Sequence, residues 1–135
     1  MTDTSPADQI RAAAEELRAL AVAASASSDG TPTAHWNTEP CWPDDDSTRF
    51  LRGDYLTRDD GRRISWPNLL RGGTGARPPY MATQHAEYAA TMGPAVGLAV
   101  AAWLDSAAED AEQVGPDPHA LAVARQLLGE DAGRA

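Results

Sequence analysis

Lysine is absent from these 135 residues, cysteine occurs once, and aromatic residues make up only 6%. A lone Cys41 forms no internal disulfide, which excludes a small secreted scaffold stapled by disulfides. The longest charge-free apolar run, around Pro94 to Leu104, falls far short of the roughly 20 residues that span a bilayer, so no membrane segment is expected. The opening "MTDTSPADQIRAAAEELRAL" is acidic and amphipathic, whereas a signal peptide is basic, then apolar, then small. The chain is therefore read as cytoplasmic. Metal-ligand spacings are missing too: there is no Cys-x-x-Cys and no His-Glu-x-x-His, and His35, Cys41, Asp44, Asp45 and Asp46 share one stretch without a second nearby histidine. Cys41 lies between Pro40 and Trp42 with no helix N-terminus to lower its pKa, which suits a small hydrophobe better than a thiolate nucleophile paired with His35, His85 or His119. No catalytic residue, cofactor or metal is assigned, and the chain is not expected to be an enzyme.

What is present is charge, and it is segregated. Net charge is −9, and all eleven cations are arginine. Residues 1–48 hold two arginines against nine acids, 49–77 seven against three, and 78–135 two against eight. A basic middle between acidic flanks is expected to be compensated internally, at modest energy per pair.

The punctuation of the chain predicts helices at both ends. Ser5 as cap, Pro6 at the first helical position and Asp8 three residues past the cap open a first helix over 5–24, with Ile10, Ala14, Leu17, Ala21 and Ala24 as its apolar stripe. "SASSDGTPT", residues 25–33, reads as a flexible connection. Across 31–79 helical periodicity disappears: "RDDG" between "FLRGDYLT" and "RRISW" predicts a hairpin near 49–66, while the prolines and aspartates of "TEPCWPDDDST" argue against regular structure there. Residues 83–114 read as a helix pair broken at Gly93-Pro94, with Gly93 as a left-handed stop. In the second of these, Val96, Val100, Trp103, Leu104, Ala107, Ala111 and Val114 form the expected apolar face, and Gly97 with Ala101 a strip where another backbone can approach closely. Asp117, Pro118 and Gly129 frame a last helix over 117–128, and 129–135 forms a frayed tail. The fold class is mainly α with a small β hairpin (α+β), one domain over 1–135 of about four helices and a hairpin-bearing insert.

"YAATMGPAVGLAVAAWLDSAAED" followed by "ALAVARQLLGE" resembles a family of small uncharacterised proteins of actinobacteria and their phages or prophages. The matching positions are Tyr88 through Leu104 and Ala120 through Leu128, about a third of the chain; the insert from Thr31 to Pro79 is not carried by the likeness. The use of arginine and alanine over lysine and isoleucine fits a GC-rich coding genome. The resemblance implies a phage or host origin and adds no catalytic residue.

The expected function is that of a non-catalytic phage or prophage accessory protein acting by protein–protein contact on host machinery or defence, in the host cytoplasm. Its partner is an unidentified host or phage protein, with a homodimer as a second possibility. The candidate interface residues are Trp36, Trp42, Gly97, Ala101 and Trp103. The alternative is nucleic-acid association through Arg49, Arg52, Arg62, Arg63 and Trp66, since arginines interleaved with aromatics grip single strands; a net charge of −9 opposes it. DNA mimicry by the acidic faces is a further alternative. Duplex DNA the length of such a domain, roughly 35 Å, carries about 20 phosphates, and this chain's 20 acids are diluted by 11 arginines.

Overall fold

The computed structural model describes residues 4–27, 29–65, 67–74 and 78–129. Its elements run α1 (Pro6–Ala23), β1 (Asn37–Trp42), β2 (Asp45–Arg52), β3 (Met81–Ala82), α2 (Thr83–Thr91), α3 (Pro94–Val114) and α4 (Pro118–Leu128). Four helices and a three-stranded antiparallel sheet give the expected α+β class. Where the sequence reads as one domain, the chain divides into two compact units: the described residues up to Val22 and from Gly97 onward, and Ala23–Val96.

The first unit is helical, and its core is made mostly of alanine. Ile10, Ala13 and Ala14 of α1, Leu104, Ala107 and Ala108 of α3, and Ala120 and Ala124 of α4 form one buried cluster. Alanine removes the side-chain bulk that otherwise keeps helix axes about 8–10 Å apart, so the helices close on backbone and methyl groups, with Ile10 and Leu104 as the large fillers. Two ion pairs run along one edge. Arg11 binds Glu112 at 2.7 Å and Arg18 binds Asp105, and the partners step seven residues forward in α1 and seven back in α3, two helical turns of an antiparallel pair. Gly97 completes the approach: a Cβ there would stand 3.1 Å from the Ala21 methyl.

The helix ends follow the punctuation. The Asp8 N–H donates to Ser5 Oγ at 3.1 Å; the His119 N–H donates to Asp117 at 3.1 Å, and Gly129 closes α4 with φ +73. Gly93 departs from its expected role. It is not left-handed; it is glycine because a Cβ would meet the Trp36 backbone nitrogen at 3.1 Å. Across the break, Pro94 brings no N–H to the first turn of α3, and the Ala95 N–H is satisfied by the Ala34 carbonyl at 2.8 Å. Val96, Trp103 and Val114, expected on the packed face of α3, are exposed, and the buried face runs through Ala101, Leu104, Ala107 and Ala108.

The second unit carries the sheet, in the order β1-β2-β3. Its regular hairpin lies earlier than the Asp-Gly signal indicated. β1 pairs with β2 from Asn37↔Arg52 to Trp42↔Asp45, leaving Pro43 and Asp44 as the turn. The prolines do not forbid this. Pro43 has the fixed φ suited to the first central position of a tight turn, and Pro40 lies on an edge strand where a missing donor is tolerated. The register shifts between Pro40 and Trp42, where Cys41 alone lies opposite Asp46, Ser47 and Thr48, so the extra residues of the irregularity are on β2. The turn is fastened by Asp45, whose carboxylate accepts from the Ser47 N–H at 2.8 Å and from the Ser47 and Thr48 hydroxyls, and these bonds, Ser47's first, hold its pKa below the ordinary carboxylate value. At "RDDG" the chain makes a turn (Gly61 N–H to Arg58 O at 2.9 Å), and its flanks run antiparallel in one register through the isolated bridges Thr57↔Arg63 and Arg52↔Asn68 and the bonds from Ile64 N–H to Leu56 O at 2.8 Å and from Gly53 N–H to Pro67 O at 2.9 Å, so the expected hairpin is present there in irregular form. α2 packs on β1 and β2, burying Ala86 and Leu51, and the Thr83 hydroxyl donates to the Asp46 carbonyl.

The segment read as a flexible connection is pinned. Thr33 is 3% exposed; its hydroxyl donates to the His35 carbonyl at 2.8 Å and accepts from the Asp54 N–H at 2.9 Å. Gly53 leaves room for it, since a Cβ there would overlap the Thr33 hydroxyl at 2.6 Å.

Close packing makes both units intolerant of added bulk. Ala108→Leu, at a site with no exposed surface, is expected to cost about 1–3 kcal/mol. Gly93→Ala is expected to destabilise as well, because the obstacle is Trp36 backbone and not a flexible side-chain end. Urea denaturation followed by circular dichroism measures both.

Candidate functional site

The arginines proposed as a nucleic-acid grip are mostly engaged by the protein itself. Arg52 is only 12% exposed at its side chain and lies 3.5 Å from Glu39 Oε2. Arg63 donates to Glu39 Oε1 at 3.1 Å. Tyr55 joins the same carboxylate, donating its O–H to Glu39 Oε1 at 2.6 Å and accepting from Arg52 Nη1 at 2.8 Å. The guanidiniums also cover rings, Arg63 over Tyr55 at 4.0 Å and Arg52 over Phe50 at 4.8 Å. Arg49 faces Glu87 at 3.7 Å and donates to the Thr38 hydroxyl at 3.3 Å. The basic middle thus meets its counter-charge in Glu39 and Glu87, both from outside residues 49–77, as charge segregation predicts. Arg62 stays exposed, its backbone N–H bound to Asp60. Trp66 lies outside the described residues.

The metal-ligand candidates do not gather into a site among the described residues. His35 is paired with Asp54 at 4.0 Å, and the same carboxylate takes the Ala34 N–H at 2.9 Å. Cys41 lies on β1 opposite the β2 irregularity and Asp45 fastens the turn, and among the described residues no group of three His, Cys, Asp or Glu could hold a metal ion.

The five interface candidates fall into three groups. Gly97 and Ala101 are used inside the first unit, Gly97 against Ala21 and Ala101 with no exposed surface, so the small-residue strip is filled by the chain's own helix. Trp36 is half-buried and packs over Gly93; its indole N–H is enclosed without a partner. Trp42 and Trp103 remain on the surface at 50% and 43% exposure. Trp103 lines a shallow pocket of about 340 Å³ with Val114 and Pro116.

Trp42 is not alone. Tyr80, 54% exposed, meets it edge to face at a centroid distance of 6.2 Å and an interplanar angle of 75°. The pair forms an open aromatic corner at the turn end of the hairpin, beside Asp44 and Asp46, both exposed. Tyr80 and Glu39 were missed in the sequence. An aromatic directly after Pro78-Pro79 is the available signal for the first; one glutamate among many acids gives none for the second. No family model, curated protein or solved structure matches this chain.

The cluster around Glu39 has an alkaline signature. Burial, reinforced by the bond to Glu39 and opposed by Arg52, raises the Tyr55 phenol above its ordinary 10.0. A raised acid binds its proton more tightly when folded, so this contribution is complete below the unfolded value and is lost as pH rises through the folded one. The denaturation midpoint is expected to fall more steeply above about pH 10 in the wild type than in Tyr55→Phe, as urea titrations across that range will show.

Proposed function

We propose that this protein acts without catalysis, through contact with another protein, as an accessory protein of an actinobacterial phage or prophage that modulates host machinery or defence in the host cytoplasm. The observation that carries the contact reading is the Trp42–Tyr80 corner, two large amphipathic rings left half-exposed and held at a fixed angle. Tryptophan and tyrosine are the residues on which binding energy concentrates at protein interfaces. The engagement of Arg52, Arg63 and Arg49 by Glu39 and Glu87 supports it further, because a guanidinium held by a carboxylate must give up that partner to take a phosphate. The resemblance of Tyr88–Leu104 and Ala120–Leu128 to small actinophage and prophage proteins supports the setting.

The test is affinity capture from nuclease-treated host lysate with tagged wild type, Trp42→Ala, Tyr80→Ala and Trp103→Ala chains. The expected result is a host or phage protein retained by the wild type and by Trp103→Ala, and lost from both corner variants while their circular dichroism is unchanged. Retention seen only in a parallel lysate without nuclease, and lost on substituting Arg62 and Arg63, would transfer the function to the nucleic-acid alternative.

A further inference from the structure

Resting on the protein-contact reading, we infer that the Trp42–Tyr80 corner receives an arginine side chain of the partner. The second unit itself shows the chemistry. Two of its other rings, Phe50 and Tyr55, are each covered by one of the chain's own guanidiniums, at 4.8 and 4.0 Å. No cation of the described residues covers Trp42 or Tyr80, which keep about half their surface open. Two rings at 75° offer a guanidinium one face to stack on and one edge to lie beside, and a planar, weakly hydrated guanidinium suits that better than a compact ammonium.

Charge complementarity gives the same sign. The turn that carries Trp42 continues Pro43-Asp44-Asp45-Asp46. Asp45 is taken by Ser47 and Thr48. Asp44 and Asp46 are exposed, and no hydrogen bond or ion pair occupies their carboxylates among the described residues, so both can meet a cation seated on the rings. The attraction is local: residues 23–96 hold nine acids against seven arginines, so Asp44 and Asp46, not the net charge of the chain, favour a cation at this end. The aromatic surface supplies the seat, and the aspartates select its occupant.

The probe is a short glycine–arginine peptide, titrated into the full chain while the four tryptophan indole N–H resonances are followed by NMR, with Trp42 assigned through Trp42→Phe. We expect the Trp42 resonance to shift saturably and the Trp103 resonance to stay in place. Affinity should fall about tenfold in Trp42→Ala and in Tyr80→Ala, and should lose part of its salt dependence in the Asp44→Asn, Asp46→Asn double variant. A glycine–glutamate peptide should leave all four resonances unmoved.

The inference is overturned if Trp42 does not respond to the arginine peptide, or if both alanine variants bind it as the wild type does, the signature of diffuse attraction to an acidic protein. It is also overturned if light scattering shows that a second copy fills the corner at working concentrations. Failure here alongside corner-dependent capture from lysate would leave protein contact standing and remove only the arginine chemistry. Peptide binding without any corner-dependent capture would instead count against the broader reading.

Discussion

A guanidinium with as little exposure as that of Arg52 cannot stay in the fold without a counter-charge, since desolvating an unpaired ion costs several kcal/mol. Glu39 supplies it, and the arrangement of the second unit follows. The carboxylate sits on β1 and its partners on β2 and the loop beyond it, so the hairpin register that places Asn37 opposite Arg52 also brings the charges together. Tyr55 fills the space between, hydrogen-bonded to both, and Arg63 closes over its ring. A strand pairing, a half-buried tyrosine and two arginines all converge on a single carboxylate.

That convergence bears on function by subtraction. Of the arginines that look, in the sequence, like a ready phosphate-binding surface, Arg49, Arg52 and Arg63 are paired internally, which leaves Arg62 and a few other side chains uncommitted. Along the hairpin these others are the aromatic pair at its turn end and the two aspartates beside it. The helical unit contributes Trp103 on a shallow pocket, while its glycine and alanine strip is consumed in packing. Interface capacity and core capacity are thus divided among residues of similar hydrophobicity by position alone.

Much of the helical architecture was legible because its signals are local. Ser5-Pro6, Gly93-Pro94 and Asp117-Pro118 act on their own backbone, and each marks a helix boundary in the structure. The regular hairpin was misplaced because proline was read as a veto, although an edge strand and the first central position of a turn are two places where its missing N–H costs little. "RDDG" did turn, and its flanks meet in register, but through the isolated bridges Thr57↔Arg63 and Arg52↔Asn68 instead of continuous strands. Trp42 was legible as a candidate; Tyr80 was not, because its meeting with Trp42 depends on a third strand of two residues. Gly93 and Gly53 show the same limit. Each is required by a neighbour distant in sequence, Trp36 and Thr33, which a local reading cannot see.

The bond between the Thr33 hydroxyl and the Asp54 N–H spans 21 residues and encloses the whole β1–β2 hairpin. Closing a chain segment of that length from the unfolded state carries an entropic cost that grows with the logarithm of its length. Once the two-residue turn has zipped the strands together, Asn37 and Arg52 are already adjacent, and only a few residues on either side remain to be brought in. The order with the smaller closure cost is hairpin first, from local contacts, with the Thr33 bond closing afterwards across a gap that has become short. Contacts distant along the chain are in this way assembled as a series of near ones.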